Sequence, residues 1–199
     1  MIRLIKYFSL LIPVFLFNGC GTRIDCPAFD NNLLEWLPYE SNDNISMVNI
    51  AGDSIIIFEI KDFYVEHTTH YMTNLDCGTC NDRILVNYGD GVVDDLEVRY
   101  YLTENTITAQ EFLIMNSYFS IYQSNYSEQE DYEFQGEVFN FVRIFENPDT
   151  DELFSKLVIA RGYGIIGLTD REGNTWKLLP DTRKSGSADG IEIRNQSCE

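Results

Sequence analysis

The chain is 199 residues long and sets 14 basic against 32 acidic residues, a net charge of −18. A surface this acidic repels phosphate backbones, and no Lys/Arg cluster interrupts it, so no nucleic-acid partner is expected. The length suits one domain with a sizeable core, and the charge serves solubility.

The first residues carry Arg3 and Lys6, then an apolar stretch from Tyr7 to Phe17 and a small residue at Gly19. Eleven apolar residues fall short of the roughly 20 that a membrane-spanning helix needs, and the pattern is that of a secretory signal. Cys20 follows at once. Phe17-Asn18-Gly19-Cys20 resembles the lipobox of bacterial lipoproteins, in the relaxed form found in the Bacteroidetes, with Phe17 and Asn18 where Leu and Ala or Ser are usual. The resemblance implies cleavage before Cys20, diacylglycerol on its sulfur and acylation of the new amino terminus. Several acyl chains suffice as an anchor, at about 0.8 kcal/mol per buried methylene. On this resemblance residues 1–19 are expected to be a signal peptide, 20–25 a lipidated tether and 26–199 a single β-rich domain. Removing the signal leaves 12 basic against 32 acidic residues, a net charge of −20. Gly21 after the cysteine resembles lipoproteins sent to the outer membrane. Thr22, Arg23 and Ile24 lack the acidic cluster that resembles a Bacteroidetes surface-export tag, which favours the periplasmic face.

Cys26–Tyr39 is the expected short helix, capped by Asp30, striped by Leu33, Leu34 and Leu37, and ended by Pro38. Branched and aromatic residues then dominate. Ile45–Ile50 and Ser54–Ile60 read as a hairpin around Ala51–Asp53, and Arg83–Tyr88 with Leu96–Leu102 as another around Gly89–Gly91. Val138–Phe145 has apolar residues on both faces, as a doubly buried strand would. Leu153–Ala160, Ile165–Thr169 and Thr175–Leu179 continue the pattern, with Gly173 suited to a positive φ in the turn between the last two. In Thr108–Tyr122 the pair Thr108 and Glu111 matches a capping box and favours a helical turn, while Tyr118–Tyr122 favours strand. Ser127–Asp131, Glu146–Glu152 and Arg183–Gly190 read as solvated loops. The fold class is all-β, an antiparallel sandwich or a curved half-barrel with one short N-terminal helix.

Cys26, Cys77, Cys80 and Cys198 remain once Cys20 is set aside. Outside the cytoplasm four cysteines imply two disulfides, and the favoured pairing is Cys77–Cys80 with Cys26–Cys198. His67, His70, Cys77 and Cys80 are a zinc alternative, weakened by the oxidising compartment and by the two histidines pointing to opposite faces of a strand over Phe63–Met72. A redox-active CGTC would need a following helix, where strand is expected. Asp90, Asp94, Asp95 and Glu97 miss the calcium-loop spacing and read as a solvated turn. GYGIIG, Gly162–Gly167, has the spacing of a dinucleotide loop but leads into a strand, so its glycines serve a tight bend or bulge. The run ARGYGIIGLTDREGNTWKLL around it resembles the carboxy-terminal hairpin of many Bacteroidetes lipoproteins, which implies a shared β architecture and carries over no activity. Asp53-Ser54-Ile55 resembles the Bacteroidetes O-glycosylation motif, which would place a glycan on Ser54.

No nucleophile elbow or other catalytic constellation is legible, so an enzyme is not expected and no cofactor is implied. Tyr64, Tyr71, Tyr100, Tyr101, Tyr118, Tyr122 and Tyr126 are candidate contact residues, with Tyr100 and Tyr101 on opposite faces. The leading expectation is a membrane-anchored module that binds a protein or glycan partner or supports the envelope. A half-barrel carrier of an apolar molecule is the second reading and an extracytoplasmic enzyme the third.

Overall fold

The computed structural model of the chain describes residues 21–52, 54–73, 78–87, 95–148, 151–179 and 192–197. In chain order the early strands are β1 (Arg23–Asp25), β2 (Asn44–Asn49), β3 (Ile55–Glu59), β4 (Phe63–Met72), β5 (Asn81–Val86), β6 (Leu96–Thr103) and β7 (Thr106–Ile114). There follow β8 (Ser117–Ser120), β9 (Asn125–Phe134), β10 (Glu137–Glu146), β11 (Phe154–Ala160), β12 (Gly164–Asp170), β13 (Thr175–Leu178) and β14 (Glu192–Ser197). They form two sheets. The first runs β1-β4-β5-β6-β7-β8, with β14 added in parallel to β4; the second runs β3-β2-β13-β12-β11-β10-β9. Every other pairing among the described strands is antiparallel, and the sheets do not close into a barrel, so the expected all-β fold takes its sandwich form.

The alternation of residue types explains the layers. β6 buries Leu96, Val98, Tyr100 and Leu102 and leaves Glu97, Arg99, Tyr101 and Thr103 half-exposed, as period 2 requires. Tyr100 meets Phe112 of β7 edge-on at 5.7 Å, and Phe112 meets Phe145 of β10 at 5.4 Å, so an aromatic chain joins the two sheets through the core. Asn87 holds one corner. Its side chain accepts from the backbone of Lys61 and Asp62 and donates to the carbonyls of Glu59 in one sheet and Leu96 in the other.

The expected N-terminal helix is a six-residue 3-10 helix, Asn31–Trp36, whose Asp30 cap accepts from the Asn32 amide. Its i→i+3 closure, Leu37 N–H to Leu34 carbonyl, suits a short run hemmed in by prolines. Leu34, Leu37 and Tyr39 carry it into the core.

Three expectations are corrected. Thr108–Glu111 is strand, not a helical turn, because β7 lies between β6 and β8, with Thr108 exposed and Glu111 opposite Ser120. The turns on either side, Glu104-Asn105 and Met115-Asn116, hold positive φ at both positions, the geometry of tight hairpins. Ser127–Asp131 is part of the edge strand β9, paired along β10. The disulfide is neither Cys77–Cys80 nor Cys26–Cys198 but Cys26–Cys80, with Cα atoms 5.5 Å apart. Register brings them together. Asp25 lies opposite His70, while Thr68 Oγ1 donates to the Asn81 carbonyl, so the end of β1 meets the start of β5 along one short section of β4. Cys77 and Cys198 lie outside the described residues, as do the Gly89–Gly91 turn, Asp90, Asp94 and Arg183–Gly190. β1, Arg23–Asp25, lies within the segment expected to be a tether.

The glycines of GYGIIG do serve bends and close approaches. Gly162 and Gly164 have positive φ, and a Cβ on Gly164 would stand 2.1 Å from Tyr39 Oη; one on Gly167 would stand 2.4 Å from the Phe134 ring. Val138–Phe145 is strand as expected, with Val142, Ile144 and Phe145 buried and Phe141 exposed.

Candidate functional site

β5 opens with Asn81-Asp82-Arg83, and its buried face continues through Ile84 and Val86. Asp82 shares that parity, so the register carries a carboxylate into a position where the strand otherwise buries hydrocarbon. It is 5% exposed. Its Oδ1 lies 3.0 Å from Nδ1 of His67, itself buried on β4, and accepts from the Thr68 amide at 2.9 Å. Phe29 closes the other side of His67 edge-on at 6.4 Å. Both Asp82 contacts are made by Oδ1.

Beside Asp82 is a cavity of about 510 Å³, lined by Thr68, Asn81, Asp82, Tyr101, Thr103 and Thr108 among others. The volume lies inside the range of small-ligand sites, about 300–1,000 Å³. Several of its polar groups hold one another. Asn81 donates from Nδ2 to Thr79 Oγ1 at 2.6 Å and accepts from Thr103 Oγ1 at 3.2 Å, and Thr108 Oγ1 donates to the Tyr101 carbonyl at 3.1 Å. Arg83, also on the wall, is tied to Glu66 at 2.6 Å. Its charge is therefore matched away from Asp82. Thr79 borders the cavity one residue before Cys80, so the Cys26–Cys80 bridge fixes that rim.

The zinc set is not assembled among the described residues. The Cys80 sulfur is bonded to Cys26, His67 faces Asp82, and His70 Nδ1 lies 3.2 Å from Thr69 Oγ1. Among the described residues no group of three or more His, Cys, Asp or Glu side chains is arranged to hold a metal ion. Ser54 is exposed at the β2–β3 turn. Of the tyrosines, Tyr64 and Tyr100 are buried, Tyr122 and Tyr126 are exposed, and Tyr101 reaches the cavity. Asp82 was not legible as a site residue by its type, as one of 32 acids. The available signal was its parity with Ile84 and Val86 on an apolar face.

A second polar cluster lies between the sheets. Arg143 stacks on Trp36 at 3.8 Å and donates to Glu128 Oε1 at 2.9 Å, and Tyr126 donates to the same oxygen. Tyr100 Oη and Arg143 Nη1 are buried and make no hydrogen bond among the described residues. Burial pushes the Tyr100 hydroxyl far above its ordinary value, against the opposing pull of the nearby Arg143 charge.

The chain matches no family model, no curated protein and no solved structure.

Proposed function

We propose that the chain is a lipid-anchored extracytoplasmic protein of the outer membrane that works by binding a small polar ligand rather than by catalysis. The observation that carries the binding reading is the cavity of about 510 Å³ at the start of β5, with its wall of hydroxyl and amide groups. The His67–Asp82 pair resembles the base and orienting members of a catalytic triad. Among the described residues the pair's hydrogen bonds run to each other and to the Thr68 amide. The anchoring reading rests on Phe17–Cys20 and on the folded strand β1 starting three residues after Cys20.

Two measurements test the two parts. Cells fed labelled palmitate are expected to label the wild-type protein and not Cys20→Ala, and the variant should leave the membrane fraction; an unlabelled wild type ends the anchoring reading. Thr103→Trp is expected to fill the cavity. If a strain carrying the folded variant matches wild type where the deletion strain shows an envelope defect, the binding reading fails.

A further inference from the structure

We infer that the free edge of β3 docks an extended, basic-flanked segment of a partner protein, which adds to the second sheet as a further strand. Asn49 donates to the Ser54 carbonyl and Ile60 to the Asp43 carbonyl. With Asn44 opposite Glu59 in the register, these bonds show that the even-numbered residues of β3 face β2. Strand alternation then turns the N–H and C=O groups of Ile55, Ile57 and Glu59 outward. Asn87 Nδ2 already occupies the Glu59 carbonyl. No hydrogen bond among the described residues takes up the backbone of Ile55 or Ile57 on that side. The same two residues have side chains 55% and 58% exposed, and Ile50 at the adjoining turn is 42% exposed. Open backbone groups beside alternate branched side chains are what strand addition uses, the ladder for affinity and the side chains for selectivity. The other edges are guarded. β9 carries Glu128, Glu130, Asp131 and Glu133, β8 has four residues, and β14 alternates Glu192 with Arg194. Sheets blunt their edges with charge and brevity, and β3 carries no charge before Glu59.

Charge and area choose the occupant. Two copies paired so that Ile55 of each meets Ile57 of the other would, by residue count, set Glu59 against Asp53 at both ends. Like charges directly opposite destabilise a pair of strands, and a net charge of −18 on each copy opposes the pairing further. Three half-exposed isoleucines offer on the order of 300 Å², against roughly 800 Å² per partner for a stable globular interface. That area suits one strand. The fitting segment carries branched residues at alternate positions, beside Ile55 and Ile57, and a basic residue to meet Glu59.

The probe is the peptide Ac-Lys-Thr-Val-Thr-Val-Thr-Lys-amide, titrated into the isotope-labelled full chain and followed by amide NMR. Saturable shifts centred on the Ile55 and Ile57 amides are expected. Ile57→Lys should weaken binding about tenfold, since it puts a cation in place of an exposed apolar contact. Glu59→Lys, also at an exposed position, should weaken it about threefold and strengthen by a similar factor the peptide with Glu for both Lys. That reversal keeps the test sharp if Ile57→Lys disturbs folding. A control peptide N-methylated at both valines keeps the charge, loses the donors and is expected not to bind. Absence of saturable binding at several millimolar peptide overturns the inference. Equal binding of the N-methylated control assigns the effect to charge alone and overturns it as well. Binding that both variants leave unchanged overturns the assignment to this edge. Sedimentation of the wild type as a dimer that Ile57→Lys dissociates would make a second copy the occupant and so overturn the partner reading.

Discussion

The two sheets bury different chemistry. Nine polar residues are buried among the described residues, and seven of them belong to the first sheet or its turns: His67, Thr68, Asp82, Asn87, Gln110, Ser117 and Ser120. The other two, Asn147 and Asp170, sit at strand ends of the second sheet. There β11 and β12 are buried on both faces, and glycines let Tyr39 and Phe134 approach the backbone. The second sheet is thus held by packing. The first accepts desolvated polar groups and needs hydrogen bonds and a covalent bridge to keep them in place. Placed polar groups in an otherwise apolar setting are what a ligand site needs, and the first sheet supplies that setting.

This contrast breaks most visibly at the bridge. Cys26→Ser opens a closure spanning 54 residues and should cost about 4 kcal/mol in denaturant unfolding, with reductant bringing wild type down to the same level. A variant as stable as wild type would mean that the polar end of the first sheet holds without its staple. The matching change in the second sheet is Gly164→Ala. It combines a positive φ with overlap on a buried, hydrogen-bonded Tyr39 and should cost about 2–4 kcal/mol. The loss should show in thermal and urea unfolding.

The core tyrosines sharpen the comparison through pH. Burial raises the hydroxyls of Tyr39 and Tyr100 far above their ordinary value of 10. The folded state therefore holds these protons more tightly than the unfolded chain. That contribution is whole below pH 10 and is lost as pH rises beyond it, by about 1.4 kcal/mol per pH unit for each tyrosine. Tyr100→Phe should make the alkaline slope of stability shallower by that amount. At neutral pH it should be nearly neutral or stabilising, since it removes a buried hydroxyl without a hydrogen bond. An unchanged slope would show that Tyr100 is wetter than its place in the core implies.

The smallest effect belongs to the exposed side of the second cluster. Hydrogen bonding from Tyr126, then the Arg143 charge, holds the Glu128 carboxyl below its ordinary 4.5. Its stabilisation is present above that value and fades as pH falls through the folded-state value. Glu128→Gln should cost at most about 1 kcal/mol at pH 7, because the carboxylate is largely solvated, and the gap to wild type should close in acid.

Much of the fold was legible because it is local. The hairpins over Ile45–Ile60 and Arg83–Leu102 follow from runs of branched and aromatic residues around polar turns. The errors have physical causes. Thr108 and Glu111 fit an i, i+3 cap and equally well a strand with exposed Thr108. β9 is a charged edge, with polar residues where an interior strand would carry Val or Ile, so it resembled a loop. Left-handed turns at Glu104-Asn105 and Met115-Asn116 lack the glycine that usually announces them. The disulfide and the site were least legible. Cys26–Cys80 and His67–Asp82 both depend on how β1, β4 and β5 align, which no local pattern states.

The bridge also decides how the domain carries a mechanical load. β1 has three residues, all exposed, and a pull from the amino-terminal side meets it first. Its few ladder hydrogen bonds to β4 can unzip singly. At Cys26 peeling stops, because the covalent link transfers the tension to Cys80 and so to β5, which is clamped between β4 and β6. Extension under force should therefore yield a short, soft step and then a stiff one. The resistance of the whole sandwich is engaged at the bridge, beside the rim of the cavity.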